Sequence, residues 1–210
     1  MFYLKFKRIC DIMISFFGLI ILSPIFLIII ILIKLDSRGP ILFKQNRIGR
    51  NKKEFKILKF RTMRVDSPRD TPTHLLENPE KWITKVGKFL RKTSLDELPQ
   101  IINILKGDMS IIGPRPALWN QLDLIDEREK YGVHRLFPGL TGYAQIHGRD
   151  GLSIPEKAKL DGFYVEHINL WLDIKIFFAT FVNILKSEGV VEGGTGMIDK
   201  GQNKNKSKSS

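Results

Sequence analysis

The stretch that decides the fold is "IMISFFGLIILSPIFLIIIILI", residues 12–33, an apolar run of 22 residues without a charge. Its length meets the usual requirement for a membrane helix, which needs about 20 apolar residues. A cleaved signal peptide is disfavoured, because the run is long for such a peptide and no small-residue cleavage site follows it. A buried core helix is disfavoured because no polar face interrupts the run. The sequence therefore predicts attachment to a membrane through this segment.

The charges that flank this run do not fit a simple crossing. Both flanks are basic, with Lys5, Lys7 and Arg8 before the run and Lys34, Arg38, Lys44, Arg47 and Arg50 after it. Basic flanks favour the cytoplasmic side, so both ends of the run are expected there. Pro24 removes the hydrogen bond to the Ile20 carbonyl, and the Ser23 hydroxyl can help to satisfy the freed oxygen. A break at Ser23-Pro24 leaves two pieces of about 20 Å, too short for a hydrocarbon core of about 30 Å. We therefore predict a re-entrant helix-break-helix that enters and leaves on the cytoplasmic side, with a kinked single span as the alternative.

Composition narrows the class of partner. The 210 residues carry a formal net charge of +12, and little of it comes from residues 194–210, which hold four lysines and one aspartate. A basic body indicates an anionic partner, namely a nucleic acid, an acidic membrane surface or a phosphorylated substrate. Nucleic acid is disfavoured, because aromatic residues are not interleaved with the basic stretch and no nucleic-acid-binding motif is present. The single Cys10 excludes a disulfide framework and a thiolate zinc site, and the four histidines lack the spacing of metal ligands.

Beyond Pro40 the sequence changes to short patterns typical of a soluble domain. Apolar residues on both sides of the turn-like "IGRNKK" (48–53) predict a β-hairpin. The segment "WITKVGKFLRK" (82–92) predicts a helix, and the apolar "MSII" (109–112) predicts a short strand. These elements indicate an α+β fold, in which a mostly helical cytoplasmic domain contains a small β-hairpin.

The end of the chain carries a second apolar segment, from Leu170 to Val190. Interspersed polar and charged residues disfavour a span, so we expect an amphipathic helix in the membrane interface, with packing on the domain core as the alternative. The patterns divide the chain into a re-entrant membrane anchor (1–38), a cytoplasmic domain with interfacial amphipathic helices (39–191) and a basic tail (192–210). The composition of the tail predicts disorder.

The stretch "RKTSLDELPQ", residues 91–100, places Asp96 and Glu97 side by side in a basic chain. The pair fits a helix cap. Ser94 and Glu97 have the spacing of a capping box, while Asp96 as the N-cap would leave Pro99 in the first turn, where proline costs little. Both assignments predict a helix through "PQIINILK" that ends at the following glycine. A catalytic pair is the other interpretation, and these residues alone favour the cap.

Arg115 lies between two prolines in "GPRP". A proline after Arg115 disfavours helix at that position, so the guanidinium is expected to extend from a stiff backbone. A guanidinium held in a fixed position can donate two parallel hydrogen bonds to a phosphate, so Arg115 is a candidate phosphate ligand. A structural ion pair is the alternative.

Several segments, in their order along the chain, carry a resemblance to a known family. They are "KRICDI", the hydrophobic "LSP", "GPILFKQNRIG", "FKILKFRTM", "LRKTSLDELPQIINILKGDMSIIGPRP" and "PGLTGYAQIHGR". In these segments the chain resembles the bacterial sugar transferases of the monotopic phosphoglycosyl transferase family, over nearly its whole length to about Val191. The resemblance implies transfer of a sugar phosphate from a UDP-sugar to undecaprenyl phosphate, with release of UMP, in the synthesis of a surface glycan or glycoconjugate. It also implies a re-entrant anchor and an active site in contact with lipid at the cytoplasmic face of the cell membrane.

The resemblance also implies roles for individual residues. In the family, the aspartate of "LDELPQ" attacks the sugar-linked phosphate to give a covalent phosphosugar-aspartyl enzyme, and Mg²⁺ assists. Asp96 is accordingly expected to be the nucleophile, and Glu97 to organise the metal or accept a proton, so both are candidate Mg²⁺ ligands. Basic residues that match the family's motifs are the candidate substrate-binding residues: Lys59, Arg61, Arg91, Arg115 and Arg149. Asp161 of "KLDGFYV" also matches a family aspartate, and its role is left open.

A different class of protein is the alternative. A membrane-anchored basic module could bind anionic lipid or nucleic acid without chemistry, and the ordered motifs favour the enzyme over it. The sugar is not specified by the sequence. Short members of the family often resemble those that use N-acetylated or diacetamido sugars such as bacillosamine, and galactose or glucose phosphate stays open.

Overall fold

The fold is mostly helical and contains four short strands in the part of the chain that the computed structural model describes, residues 2–67, 79–148 and 151–186. The helices are α1 (Phe2–Asp36), α2 (Lys85–Lys92), α3 (Gln100–Lys106), α4 (Leu122–Glu129), α5 (Tyr143–Ile146), α6 (Ile154–His167) and α7 (Leu170–Lys186). The strands are β1 (Leu42–Ile48), β2 (Glu54–Phe60), β3 (Ser110–Ile112) and β4 (Gly139–Thr141). The predicted α+β class is confirmed.

The apolar run lies within α1, one helix of 35 residues and about 52 Å. The two pieces predicted on either side of Ser23-Pro24 belong to one helix with Pro24 in its interior, and the re-entrant bend at this position stays a prediction. Pro24 is accommodated because Ser23 Oγ donates a hydrogen bond of 2.7 Å to the Ile20 carbonyl, the oxygen that loses its helical donor when position 24 has no N–H. Among the described helices α1 alone is long and apolar enough to cross a membrane, and only 11% of its apolar window is buried within the protein. The re-entrant topology stays a prediction.

The first turns of α1 dock on α3 and β3 through polar contacts. Arg8 donates hydrogen bonds to the carbonyls of Ile104, at 2.8 Å, and Met109, at 3.1 Å. Ile104 lies in the last turn of α3, where helical carbonyls lack intrahelical donors, so a cation is favourable there. Buried Asp11 accepts a hydrogen bond of 2.7 Å from Ser110 Oγ. This end of the helix is therefore fixed to α3 and β3.

The last turns of α1 pack on the same domain through apolar contacts. Ile29 and Ile33 are buried against Phe60 of β2 and Leu90 of α2. Burial of each such side chain stabilises the fold by about 1.5–3 kcal/mol. The middle of the helix is open, and Ile21 is 74% exposed. Both ends of α1 thus contact one domain, whereas its centre presents apolar side chains to the surroundings.

The predicted hairpin is confirmed in β1 and β2. The strands are antiparallel, with Leu42 opposite Phe60. Phe43 lies opposite Lys59, and directly opposite residues share a face of the sheet. Because side chains alternate along a strand, Arg47 lies on the same face as Phe43. The register therefore places Arg47 and Lys59 on one face of the hairpin.

The predicted strand β3 is also confirmed, and it pairs in parallel with β4, which the sequence did not predict. The segment "PGLTG" resembles a glycine-rich loop, so its three-residue strand is not visible in the pattern. The two backbones lie so close that a Cβ on Gly139 would be 2.2 Å from the amide nitrogen of Gly113. This pairing fixes the start of the loop that carries Arg115.

Two further helices were predicted from the sequence, and both are present with one adjustment. The helix predicted over residues 82–92 begins only at Lys85, with Thr84 as its N-cap, and α3 ends at Gly107 as predicted. The helix at the end of the described chain, α7, packs one face on the core, since Ile176 is fully buried against Ile112 and Tyr164, whereas Trp171 is 75% exposed. Its place in the membrane interface stays a prediction. The predicted tail lies outside the described residues, and the division into domains stays a prediction.

Candidate active site

The two acids of "LDELPQ" lie in a short 3-10 turn, Leu95–Glu97, between α2 and α3. Ser94 precedes the turn with a left-handed φ of 55° and forms no side-chain capping bond, and α3 has Pro99 as its N-cap. The predictions of Ser94 or Asp96 as a helix cap are therefore wrong, because an N-cap residue has an extended backbone and aims its side-chain oxygen at the helix amides. Both carboxylates are instead buried, with 9% of Asp96 and 8% of Glu97 exposed.

Glu97 is held by two cations. Its Oε1 accepts hydrogen bonds of 2.8 Å from Lys59 Nζ and 2.8 Å from Arg115 Nη2, and its Oε2 lies 3.4 Å from Arg115 Nη1. Burial by itself raises the pKa of Glu97, but Arg115 and Lys59 outweigh it and hold the pKa well below its ordinary value. Glu97 is therefore a fixed, ionised partner of these two side chains.

Asp96 has a different environment, although it is the neighbouring residue. Within residues 2–67, 79–148 and 151–186, its carboxylate forms no side-chain hydrogen bond or salt bridge. Burial raises the pKa of Asp96, Lys59 opposes this effect, and the negative charge of Glu97 adds to it. Adjacent carboxylates whose environments move their pKa values apart are typical of sites where the two groups have different chemical roles. The ionised form of Asp96 is therefore the less stabilised of the two.

Three of the five predicted substrate-binding residues surround this acid pair. Lys59 and Arg115 contact Glu97 directly. Arg91 donates a hydrogen bond of 2.9 Å to Thr62 Oγ1, and it lies close enough to Asp96 to act against the rise in that residue's pKa. The arrangement can bind a dianionic or trianionic phosphate group beside Asp96.

The predicted substrate-binding residue Arg61 contacts the chain after α1 rather than the acid pair. Arg61 directs its guanidinium to the chain that follows α1, where it donates hydrogen bonds of 2.7 Å to the carbonyls of Ser37 and Arg38. Its role in the structure is to fix the chain that follows α1. Arg149 lies outside the described residues, and its role in substrate binding stays a prediction.

Arg47 belongs to the cluster, although the sequence showed it only as a charge that follows the apolar run. It donates hydrogen bonds to the Pro116 carbonyl at 3.1 Å and to Gln45 Oε1 at 2.8 Å. Burial lowers the pKa of Arg47, and the positive charge of Arg115 lowers it further. Arg47 could have been identified as a site residue from the register of the hairpin, because this register places Arg47 on the same face of the sheet as the predicted site residue Lys59.

The acid pair offers a limited set of metal ligands. Across the described ranges no group of three or more histidine, cysteine, aspartate or glutamate side chains could hold a metal ion. Asp96 and Glu97 nevertheless supply two neighbouring carboxylates, and Mg²⁺ is commonly held by one or two carboxylates while substrate phosphates and water complete its shell. Because Glu97 Oε1 already accepts two hydrogen bonds, Asp96 is the more available ligand. The donor set fits Mg²⁺ that arrives with a phosphorylated substrate.

Comparison with known proteins assigns the chain to a family. The family described as Bacterial sugar transferase matches residues 2–187. The uncharacterized sugar transferase EpsL of Bacillus subtilis (strain 168) is 42% identical over 184 residues, which cover 88% of this chain and 89% of that protein.

Two longer relatives have names that state a reaction. The UDP-glucose:undecaprenyl-phosphate glucose-1-phosphate transferase of Escherichia coli (strain K12) is 41% identical over 84% of this chain and 40% of its own length. The UDP-N-acetylgalactosamine-undecaprenyl-phosphate N-acetylgalactosaminephosphotransferase of Aeromonas hydrophila is 38% identical over 89% of this chain and 45% of its own length. With a family match over almost every residue and this level of identity, the chain belongs to the bacterial sugar transferase family.

Proposed function

We propose that the chain transfers a sugar 1-phosphate from a UDP-sugar to undecaprenyl phosphate and releases UMP, as the first membrane step of surface-glycan or glycoconjugate synthesis. The observation that carries this proposal is the buried acid pair, in which Glu97 is neutralised by Lys59 and Arg115 while Asp96 forms no side-chain hydrogen bond or salt bridge among the described residues. The names of the two longer relatives support the substrates. Their sugars differ, glucose in one and N-acetylgalactosamine in the other, so the sugar is left unassigned.

The reaction proceeds by two displacements at one phosphorus. A carboxylate oxygen of Asp96 attacks the phosphate that carries the sugar, the bond from that phosphorus to the bridging oxygen breaks, and UMP leaves with the electron pair. A phosphate oxygen of undecaprenyl phosphate then attacks the same phosphorus, and the bond to Asp96 breaks and restores the carboxylate. Only a deprotonated carboxylate is an effective nucleophile, and the raised pKa of Asp96 reflects an ionised form that burial leaves weakly stabilised.

The cations of the site offset the charge of the reacting phosphates. An anionic nucleophile and a diphosphate repel each other, so catalysis of phosphoryl transfer depends on positioned positive groups. The guanidinium of Arg115 is fixed by Glu97 and presented by a proline-flanked backbone, and Lys59 contacts the same carboxylate oxygen. Arg91 and Arg47 add positive charge nearby. Mg²⁺ held by Asp96 and Glu97 would supply further positive charge to the diphosphate oxygens.

We also propose that α1 enters and leaves the membrane on the cytoplasmic face, so that the site meets the phosphate of a lipid whose chain stays in the bilayer. Basic residues flank the apolar run on both sides. Further support comes from the packing, because the first turns of α1 contact Ile104 and Ser110 while its last turns contact Phe60 of the same domain. A helix with its ends on opposite sides of a bilayer would have to hold these contacts across about 30 Å of hydrocarbon. The exposed aromatic side chains of α7 suit the membrane interface.

The activity is tested with purified protein, undecaprenyl phosphate, Mg²⁺ and a panel of UDP-sugars, by measuring UMP release. We expect release with at least one sugar, and a phosphosugar adduct on Asp96 that mass spectrometry detects when the lipid is omitted. Asp96→Asn should abolish both signals, whereas Glu97→Gln should slow turnover. Asp126→Asn, at an exposed position of α4, is the matched control and should retain both. Absence of UMP with every sugar would favour a non-catalytic anionic-lipid-binding module, and a robustly active Asp96→Asn protein would refute the nucleophile.

The topology is tested by cysteine labelling in a Cys10→Ser background. Phe2→Cys and Leu35→Cys place thiols at the two ends of α1, where the native side chains are 85% and 80% exposed, and Ile21→Cys provides a lipid-facing control. A membrane-impermeant maleimide should label both end positions from the cytoplasmic side only. Labelling of the two ends from opposite sides would establish a spanning helix and exclude re-entry.

A further inference from the structure

The loop Pro114–Pro116 is held by donors that lie outside it. Two of its three residues are prolines, which have no N–H, so the loop cannot form its own network of amide hydrogen bonds. Its carbonyls accept instead. The Pro114 carbonyl takes a hydrogen bond of 2.9 Å from the Gly139 amide, the Arg115 carbonyl one of 2.8 Å from Arg128 Nη1, and the Pro116 carbonyl one of 3.1 Å from Arg47 Nη1. The backbone of Arg115 is thus oriented by one strand and two guanidinium groups.

Arg128 is itself fixed by a buried carboxylate. Its Nε and Nη2 donate hydrogen bonds of 2.9 Å and 2.5 Å to Asp161 Oδ2. Arg128 is 3% exposed and Asp161 1% exposed, and they connect α4 with α6. A buried guanidinium is costly unless it is paired and its donors are satisfied, and here its three different donor atoms all have acceptors. A lysine at this position could not reach both acceptors, since an ammonium lacks the planar fork.

These contacts form one continuous chain that ends at the acid pair. Asp161 holds Arg128, Arg128 holds the Arg115 carbonyl, and Arg115 holds Glu97 at 2.8 Å. Neither Arg128 nor Asp161 contacts Asp96 or Glu97 among the described contacts, so neither touches the reacting groups. We propose that Arg128 and Asp161 are positioning residues for the transfer reaction, which fix Arg115 through its backbone carbonyl so that its guanidinium engages both Glu97 and the substrate phosphate. The effect of the pair on kcat/KM rests on the proposed function. Its effect on the contact between Arg115 and Glu97 does not depend on that function.

The sequence gives little indication of this pair. Arg128 lies in "LDLIDEREKYG", whose mixed charges are typical of a solvated helix, and Asp161 is an isolated acid in α6. The burial of both residues becomes visible only when α4 packs against α6. The pair therefore supplies a role for the aspartate that the family resemblance left open.

The kinetic test is a cycle of variants that compares the effect of Arg128→Lys in two backgrounds. In the otherwise native protein, Arg128→Lys and Asp161→Asn should each lower kcat/KM for the UDP-sugar about 100-fold, since displacement of a catalytic group by about 1 Å has effects of that size. In the Arg115→Ala background the same substitutions should produce no further loss, because the group they position is absent. An equal further loss in that background would show that the pair acts elsewhere and would overturn the inference.

A second cycle needs no substrate. Glu97→Gln should lower the melting temperature of the protein in Mg²⁺-free buffer, because Arg115 loses its carboxylate partner. If Arg128 positions Arg115, this decrease should be at least halved in the Arg128→Lys background, and likewise in the Asp161→Asn background. An undiminished decrease in both backgrounds would refute the positioning role. This readout still decides the inference if no UDP-sugar releases UMP, which would refute the proposed function alone.

The matched control is Tyr164→Phe, three residues from Asp161 on α6. The hydroxyl of Tyr164 donates a hydrogen bond of 2.6 Å to Asp173 and has no contact with Arg128 among the described contacts. The substitution should lower the melting temperature but should leave kcat/KM of the folded protein unchanged, and its effect should add to that of Glu97→Gln. A 100-fold loss of kcat/KM in Tyr164→Phe would show that any weakening of α6 impairs the reaction, and the positioning role would then be wrong.

Discussion

Asp96→Asn and Glu97→Gln should change the stability of the protein in opposite directions, although each replaces a carboxylate by an amide. Burial raises the pKa of Asp96, so its ionisation opposes folding. This penalty is absent below the unfolded pKa of about 3.9 and reaches its full size once the pH exceeds the folded pKa. Glu97 behaves in the opposite way, because Arg115 and Lys59 lower its pKa against the effect of burial. Its contribution to stability is full above its unfolded pKa and is lost as the pH falls through the lower folded pKa.

The expected magnitudes follow from the contacts. Glu97 accepts two hydrogen bonds of 2.8 Å from cations, and removal of one member of a buried ion pair costs about 3–5 kcal/mol. Glutamine keeps one acceptor oxygen, so we expect a loss of about 3 kcal/mol, which lowers the melting temperature by roughly 6–12 °C in a chain of this size. Asp96→Asn removes an unfavourable buried charge, and each unit by which a pKa is raised corresponds to about 1.4 kcal/mol. A rise of a few degrees is therefore expected at neutral pH.

The assay is thermal unfolding of the purified proteins in detergent with EDTA, from pH 4 to pH 8. The gain from Asp96→Asn should shrink as the pH falls toward about 3.9, whereas the loss from Glu97→Gln should persist until the pH falls below about 4.3, the ordinary pKa of glutamate. Asp126→Asn should change the melting temperature by less than either substitution, because the residue is exposed. Equal destabilisation by the two active-site substitutions would show that their environments do not differ, and the assignment of Asp96 as the unengaged nucleophile would lose its physical basis.

Three further substitutions separate the roles of other residues. Arg115→Lys should lower kcat/KM for the UDP-sugar about 100-fold, because an ammonium does not replace the fork that contacts both oxygens of Glu97; near-native kcat/KM would contradict this. Arg61→Gln should lower the melting temperature and leave KM unchanged, because its guanidinium binds main-chain carbonyls after α1; a raised KM at an unchanged melting temperature would restore a role in substrate binding. The double substitution Trp171→Ser and Phe178→Ser should reduce transfer to undecaprenyl phosphate in vesicles more than in detergent, because both aromatic side chains are exposed on α7; equal activities would place this face away from the membrane.

The sequence predicted the elements that have strong local signals and missed contacts that arise from packing. The apolar run, the hairpin and the acid pair follow from composition, alternation and motif, and the structure contains all three. The family resemblance placed Arg61 together with Lys59 among the candidate substrate-binding residues. Strand β2 ends at Phe60, however, so the alternation stops before Arg61, and its side chain reaches the end of α1 instead. Arg47 replaces it beside Lys59, because the partner strand brings it to the same face.

The raised pKa of Asp96 and the surplus of cations around it have one explanation. The described part of the site sets four cations, Lys59, Arg47, Arg91 and Arg115, near two carboxylates, and two of those cations are directed at Glu97. If both carboxylates shared the cations equally, Asp96 would be a stabilised and therefore weaker nucleophile. Because Glu97 takes the direct contacts, the charge of Asp96 is less stabilised than that of Glu97, and positive charge remains for an incoming diphosphate. The direct contacts of the cations with Glu97 rather than with Asp96 thus favour attack by Asp96 on the diphosphate, an anion that would otherwise repel the carboxylate.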